Sequence, residues 1–193
     1  MDTRQRIIDT AFEMIKEKSY EEVSVNDICE KCGITKPTFY KYIGAKENLL
    51  TNFYDNVTAE FADTALHMLA ADNYWEQICT GFDAILGWSE EFGPDLYSQL
   101  FISNLKNNKG TFDFNAPLAA AMVSLFKKAQ EAGQIHNPGN AEALYFACVH
   151  LSFGYGVVWC LNNGSSDLLA DFRNALETVC QVDEKYRQKS AES

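Results

Sequence analysis

SVNDICEKCGITKPTFYKYIGAKENLL, which spans residues 24–50, carries the start and stop signals of two short helices. Ser24 and Asp27 have the spacing of a capping box, in which the hydroxyl accepts a main-chain N–H and the carboxylate reaches back. Gly33 can adopt the left-handed conformation that ends a helix, and Thr35 can cap the helix that follows. The stretch therefore predicts a helix-turn-helix, a motif whose second helix enters the major groove of DNA.

The second helix of this motif carries polar, aromatic and basic side chains on one short segment. Phe39 and Ile43 lie four residues apart and can face a core, which leaves Lys36, Tyr40 and Lys41 directed outwards. Lysine and tyrosine donate hydrogen bonds to phosphates and base edges, and helix N-termini also attract anions. A DNA contact surface is one interpretation of this face, and a solvated face on a purely structural helical unit is the other.

Helical periodicity continues on both sides of the motif. Upstream, an apolar stripe predicts a first helix that ends near Ser19, and its members are Ile7, Ile8, Ala11, Phe12 and Ile15. Downstream, further helices are predicted at about 45–70, 74–91, 95–106, 116–132, 140–162 and 167–183. Because no alternating run of apolar residues indicates a strand, the predicted fold class is all-α, with about nine helices.

The charge of the chain is distributed unevenly. Of its 193 residues 47% are hydrophobic and the net charge is −11, which excludes a protein that coats nucleic acid with its whole surface. Residues 1–53 hold 8 Lys and Arg against 9 acidic residues, whereas residues 54–193 hold 8 against 18. A near-neutral segment over 1–53 joined to an acidic segment over 54–193 is typical of a protein in which only the N-terminal segment approaches a polyanion.

Residues 24–50 closely resemble the DNA-binding signature of the TetR (tetracycline-repressor) family of bacterial transcriptional regulators. The resemblance rests on the helix lengths, the turn glycine Gly33, the paired tyrosines and the Lys-Glu pair that opens the next helix at Lys46. It implies an N-terminal three-helix DNA-binding domain with a helix-turn-helix over 1–46. It also implies a helical C-terminal ligand-binding and dimerisation domain over 47–193.

The resemblance further implies which side chains meet DNA. The predicted contacts are Ser24, Thr35, Lys36, Thr38, Tyr40, Lys41, Tyr42 and Lys46. Lys46 falls at a phosphate contact of the family, and Ser24 falls at a cap position that is often close to a phosphate. Pro37 stands where Gly is common, and Lys41 and Ile43 stand where the family varies or prefers Phe, so a base preference is not inherited.

The cysteines are predicted to be free thiols that pack in the core; they are Cys29, Cys32, Cys79, Cys148, Cys160 and Cys180. The first nineteen residues carry charges throughout and lack the apolar run of a secretory signal, so a reducing, cytoplasmic location is expected. By the resemblance, Cys29 and Cys32 occupy positions of small buried alanines. A redox or metal role is the alternative, although the other ligands of a closed zinc site are missing nearby.

The sequence contains no motif that supports catalysis, such as Gly-x-Ser-x-Gly, His-Glu-x-x-His or a phosphate-binding loop. His67, His136 and His150 lack the spacing of metal ligands. We therefore expect no enzymatic activity, no cofactor and no bound metal.

Aromatic residues are dense between residues 74 and 159 and can enclose an apolar cleft, although most of them would serve as plain core. The resemblance places a cleft for a small-molecule effector among the helices of the C-terminal domain. The candidate lining residues are Phe61, Phe82, Leu86, Trp88, Phe101, Met122, Phe126 and Phe146, with His150 as a polar contact.

The predicted helix over 140–162 is nearly uncharged and long enough to be scored as a membrane span. Because His150, Gly154 and Gly156 interrupt it and no basic cluster flanks it, we expect no membrane partner. A soluble helix this apolar is buried on several faces. Together with the helix over 167–183 it predicts an isologous four-helix homodimer interface, at which Gly154 and Gly156 would allow close approach.

These features predict a ligand-responsive DNA-binding transcriptional regulator, and we expect it to repress transcription. It would bind a pseudo-palindromic operator in double-stranded DNA as a homodimer and be released by a small-molecule effector. Two other classes remain open. A helical carrier or enzyme with a vestigial DNA head would show no salt-sensitive duplex binding, and a module that recruits another protein would stay incompletely self-associated and expose apolar surface.

Overall fold

The computed structural model describes residues 2–50, 67, 68, 70–108 and 116–187. Every named element in these residues is helical, and one isolated β-bridge joins Ile135 to Val182. The predicted all-α fold class is thereby confirmed. The long helix predicted over 45–70 lies mostly outside the described residues.

The first three helices form a small bundle, with α1 at Thr3–Glu17, α2 at Val25–Cys32 and α3 at Lys36–Ile43. Each of the three packs against the other two. Their apolar faces supply a shared core of fully or almost fully buried side chains: Ile7, Ile8, Ala11, Ile15, Ile28, Phe39 and Ile43. The stripe predicted for the first helix is therefore the face that this bundle buries, with Phe12 half-buried beside it.

Local chemistry fixes the ends of α2 and α3. Ser24 and Asp27 form the predicted capping box, in which the Ser24 side chain accepts from the Asp27 N–H and the Asp27 side chain accepts from the Ser24 N–H. Gly33 ends α2 in the left-handed region, with φ 63° and ψ 38°. Thr35 caps α3 by accepting the Thr38 N–H, and Pro37 occupies the first turn, where its missing N–H costs nothing.

Helix α4 spans Tyr74–Lys106, and its backbone leaves the helical region at Gly93, where φ is 77° and ψ is 164°. Pro94 follows, so the two helices predicted on either side of this Gly-Pro pair are the two arms of one bent element. A residue with a β-carbon is strongly disfavoured at this combination of angles.

Gly93→Ala is expected to lower the free energy of unfolding by about 1–3 kcal/mol, because alanine would have to adopt a conformation that only glycine adopts readily. Urea denaturation at a fixed protein concentration measures the change. Gly87→Ala is the matched control: Gly87 lies in a helical part of α4, and a β-carbon there meets no atom within 4 Å. Since alanine favours helix by about 0.5–1 kcal/mol, a loss of stability in the control equal to that of Gly93→Ala would contradict the assignment.

Three more α-helices follow: α5 at Ala116–Glu131, α6 at Ala141–Leu161 and α7 at Leu168–Cys180, with a short 3₁₀ helix at Glu184–Tyr186. Asn140 and Asp167 cap α6 and α7 by accepting main-chain N–H groups. Helix α6 packs against both α5 and α7. These bounds agree with the predicted helices to within three residues at each end.

The chain divides into two compact units. The first consists of Met1–Glu60 and Ser89–Phe112, and the second consists of Phe61–Trp88 and Asp113–Ser193. Helix α4 contributes to both. The first unit thus combines the three-helix bundle with the second arm of α4, whereas the functional boundary predicted between residues 46 and 47 remains a prediction.

All six cysteines are free thiols, and Cys160 is the one that is not fully buried. Cys29 and Cys32 lie on the buried face of α2, and burial raises the pKa of the Cys29 thiol. In the second unit the Cys148 and Cys180 sulfurs lie 3.8 Å apart between α6 and α7. A buried thiol with a raised pKa is a poor nucleophile, which agrees with the predicted packing role.

Candidate nucleic-acid interface

Helix α3 separates a buried face from an exposed face. Phe39 is 0% exposed and Ile43 is buried, whereas the neighbouring Tyr40 is 49% exposed. Lys36 and Lys41 are also exposed, as the spacing predicted. The helix is therefore anchored from one side by apolar packing and presents a basic and aromatic surface on the other.

Side chains on this exposed face support one another. The Tyr40 ring forms a T-shaped contact with the buried Phe39 ring beneath it, with centroids 5.6 Å apart at an interplanar angle of 87°. The Lys41 ammonium lies 5.7 Å from the centroid of the Tyr42 ring, within the range of a cation–π contact. Both tyrosines keep the hydroxyl that can donate to a base edge or a phosphate.

The N-terminus of α3 presents two threonine hydroxyls. The Thr35 and Thr38 oxygens lie 3.0 Å apart, and Thr35 also accepts the Thr38 main-chain N–H at 3.4 Å. Thr35 is exposed and Thr38 is half-buried. The first turn of α3 therefore carries two hydroxyls and the free main-chain N–H groups of a helix N-terminus, an arrangement that attracts anions.

The N-terminus of α2 is more fully satisfied. The Ser24 hydroxyl donates to Asp27 Oδ2 at 2.6 Å, and the Ser24 N–H donates to the same oxygen at 2.8 Å. These two hydrogen bonds lower the pKa of Asp27, and the positive charges of Lys18 and Lys46 act in the same direction. Ser24 thus occupies the predicted cap position of α2, and its hydroxyl proton is used in the hydrogen bond to Asp27.

Asp27→Asn is expected to destabilise the protein at neutral pH, because the capping carboxylate becomes a neutral amide. The folded-state pKa of Asp27 lies below that of an unfolded aspartate, about 3.9, so its stabilisation is present above that value and is lost as the pH falls through the lowered pKa. Urea denaturation across the acid range should show the wild type and the variant converging. A difference that stays constant over that range would contradict this account.

Lys46 differs from the other predicted contacts because its side chain is half-buried. Its ammonium donates to the main-chain oxygen of Tyr20 and lies 4.1 Å from the centroid of the Tyr20 ring. Burial lowers the pKa of Lys46, and the carboxylates of Glu21 and Glu47 oppose that change. The residue pattern gave no signal for the partner Tyr20, which is 26 residues away along the chain.

A cleft of about 520 Å³ opens beside Lys46 and Tyr20 in the first unit. Gln99, Ser103 and Lys106 on the second arm of α4 form part of its lining. Its walls mix two lysines with two glutamates, neutral polar groups and the apolar side chains of Leu50 and Ile102, so they favour neither anions nor cations. Sequence reasoning did not predict this cleft.

The candidate effector residues that the structure describes are mainly core. Phe82, Leu86, Met122 and Phe126 are fully buried, Phe101 and Phe146 are half-buried, and His150 is exposed. Phe61 and the side chain of Trp88 lie outside the described residues.

The second unit brings some of these residues together. Phe82 and Phe126 both contact Tyr145, with centroids 6.5 and 5.9 Å apart, and Phe82 also lies 5.3 Å from Phe172. A β-carbon on Gly81 would lie 3.1 Å from the Met122 sulfur, so the packing here is tight. The sequence prediction did not include Tyr145 or Phe172, because aromatic composition does not reveal which rings meet.

Comparison with known protein families identifies the N-terminal part of the chain. The family described as "Bacterial regulatory proteins, tetR family" matches residues 7–52. The transcriptional regulator EthR of Mycobacterium tuberculosis is 36% identical over 69 residues, which are 36% of this chain and 32% of EthR. The regulator YvdT of Bacillus subtilis is 31% identical over 72 residues, 37% of each protein. The matched segments thus cover about a third of the length of these relatives.

Comparison with solved structures extends the likeness to the fold of the whole chain. Thermus thermophilus FadR, a TetR-family repressor in complex with lauroyl-CoA, covers 98% of this chain with a TM-score of 0.67 and 20% identity. Bacillus subtilis FadR, in complex with stearoyl-CoA, covers 91% with a TM-score of 0.55 and 18% identity. The relatives named above are transcriptional regulators rather than enzymes. Residues 7–52 of this chain thus match the tetR family of bacterial regulatory proteins in sequence, and the fold of the chain is similar to that of solved TetR-family structures.

Proposed function

We propose that the protein is a cytoplasmic, ligand-responsive transcriptional repressor that binds a pseudo-palindromic DNA operator as a homodimer. The observation that carries this proposal is the exposed face of α3. Lys36, Tyr40 and Lys41 are exposed there, while the buried Phe39 anchors the helix to the bundle. A short capped helix that directs basic and aromatic donors outwards is suited to the major groove.

The proposed DNA contacts divide by chemistry. Tyr40, Lys41 and Tyr42 face base edges, while the hydroxyls and ammoniums near the helix N-termini face phosphates. The phosphate set comprises Ser24, Thr35, Lys36, Thr38 and Lys46. Ser24 has to turn its hydroxyl from Asp27 towards DNA, whereas Lys36 is already exposed.

The exposed side of α6 supports the proposed homodimer. Beyond Glu142 its exposed positions form one narrow stripe along the helix: Ala143, Ala147, His150, Gly154, Val157, Val158 and Leu161. Val158 is 55% exposed and Leu161 is 76% exposed. An apolar stripe with a spacing of three and four residues packs well against a copy of itself across a two-fold axis.

The same helix is long and apolar enough to cross a membrane by length and composition. Its other side packs against α5 and α7, and the exposed stripe is narrow and includes His150 and Gly154. These features favour a protein partner over lipid, because lipid on the exposed stripe would place His150 in the hydrocarbon region. Gly154 lies on the stripe, while Gly156 is buried against the rest of the second unit.

The effector is proposed to bind within the predicted C-terminal domain, residues 47–193. TetR-fold proteins bound to lauroyl-CoA and stearoyl-CoA support a ligand-responsive mechanism. The proposed lining residues are Phe61, Phe82, Leu86, Trp88, Phe101, Met122, Phe126, Phe146 and His150. An effector that favours the conformation unable to fit DNA would need a coupling of about 1–3 kcal/mol to change operator affinity some 5- to 150-fold.

Selection of genomic DNA fragments by the purified protein tests this function. We expect enrichment of duplexes with an inverted repeat whose half-sites lie roughly one helical turn, 34–36 Å, apart or a multiple of it. Binding should weaken steeply with added salt, because phosphate contacts release counterions. Recovery of no common repeat together with salt-insensitive binding would refute the proposed function.

A further inference from the structure

Two charged side chains hold the backbone of Tyr20 in the first unit. Its N–H donates to Asp95 Oδ2 at 2.7 Å, and its carbonyl oxygen accepts a hydrogen bond from the Lys46 ammonium. These partners are 75 and 26 residues away along the chain. Tyr20 therefore joins the turn before α2, the start of the segment after α3 and the second arm of α4.

The side chain of Tyr20 completes the arrangement. The residue is 6% exposed, and the Lys46 ammonium lies against its ring. Within the described part of the chain the buried Tyr20 hydroxyl has no hydrogen-bond partner. Because this hydroxyl makes no hydrogen bond among the described residues, the position of the Tyr20 ring is determined by packing and by the Lys46 ammonium.

Asp95 is itself held in place. It follows the Gly93–Pro94 bend at the start of the second arm of α4, and its own carbonyl oxygen accepts a hydrogen bond from the Ser98 hydroxyl at 2.7 Å. Its carboxylate is bound to the Tyr20 N–H, and its charge favours the protonated form of Lys46. Asp95 thus acts on Lys46 both through Tyr20 and through its charge.

Among the described residues, the Lys46 ammonium keeps N–H groups that the Tyr20 carbonyl does not use. An ammonium carries three N–H groups, and the Tyr20 carbonyl takes one of them. Its charge reaches the N-terminus of α2, where it helps to lower the pKa of Asp27, the partner of Ser24. A phosphate approaching that helix end would meet a cation whose position is fixed before DNA arrives.

We propose that Asp95 and Tyr20 are positioning residues for Lys46: Asp95 fixes the Tyr20 backbone, and the carbonyl and ring of Tyr20 hold the Lys46 ammonium ready for a DNA phosphate. This inference rests on the proposed function. It gives the second arm of α4 an influence on operator affinity through a residue that does not touch DNA.

A double-mutant cycle tests the positioning role, with the operator duplex recovered by selection as the probe. Asp95→Ala is expected to weaken binding about fivefold, the effect of one lost hydrogen bond. It should also lower the salt dependence towards that of Lys46→Met, which loses about one released ion. In the Lys46→Met background Asp95→Ala should have no further effect, and Asp95→Asn, which keeps an acceptor, should restore most of the affinity.

Glu90→Ala is the matched control, because Glu90 is an exposed carboxylate on the same helix and within the same unit. It should leave both the operator affinity and the salt slope close to those of the wild type. Equal losses from Asp95→Ala in both backgrounds, or no loss in either, would overturn the positioning role while the proposed function stands. A wild-type protein that binds no duplex would instead refute the proposed function, and the positioning role would fall with it.

Discussion

Tyr40→Ala and Lys41→Ala are each expected to weaken operator binding by about 5- to 150-fold, the range of a specific base contact worth about 1–3 kcal/mol. Both side chains are exposed on α3, so little buried surface is lost and the thermal unfolding midpoint should barely change. Because both side chains are assigned to base edges rather than to phosphates, both variants should leave the salt slope close to that of the wild type. Fluorescence anisotropy over a salt series measures both quantities.

Phe39→Ala provides the contrast from the neighbouring position. Phe39 is fully buried in the bundle, and its truncation is expected to cost about 3–5 kcal/mol of stability. Its binding defect should therefore follow a fall in the unfolding midpoint, which the exposed variants do not show. Wild-type operator affinity in both Tyr40→Ala and Lys41→Ala would exclude α3 as the reading helix.

The ends of the helices could be predicted because they depend on residues close together in the chain. The Ser24–Asp27 capping box and the left-handed Gly33 are interactions within a single turn, and the structure contains both. The same reasoning placed a break at Gly93–Pro94, where the backbone bends. Caps and turns leave a signature in local sequence that tertiary contacts do not overrule.

The surroundings of Lys46 could not be predicted, because both Tyr20 and Asp95 are distant in sequence. A pattern that identifies a lysine at the start of a helix does not show which carbonyl oxygen its ammonium meets. The aromatic core of the second unit presents the same difficulty. Its abundance of aromatic residues was evident, but the contact between Phe82 and Phe172 joins segments ninety residues apart.

The stripe on α6 shows what periodicity can and cannot decide. The sequence pattern showed that the helix is too apolar to face water alone. It did not show which side the other helices of the same chain cover, because nearly every position is apolar. The structure separates the two sides, with Leu144, Cys148 and Trp159 buried and Val157, Val158 and Leu161 exposed.

Val158→Glu is expected to convert the proposed homodimer into a monomer, because each copy of the new carboxylate would be buried in the interface without a partner. Val158 is more than half exposed in the single chain, so folding of the protomer should be little affected. Sedimentation velocity over a range of concentrations measures the association. A monomer engages one half-site at a time, so operator affinity should fall by about 10²- to 10⁴-fold.

Leu105→Glu is the matched control, since Leu105 is an apolar residue that is 86% exposed and lies on α4 in the first unit. It introduces the same charge away from α6 and should leave the dimer intact. If Val158→Glu sediments as the wild type does, the dimer uses another surface. If the wild type is itself a monomer at all concentrations, the homodimer is refuted. The apolar stripe on α6 would then be exposed to water in the free protein.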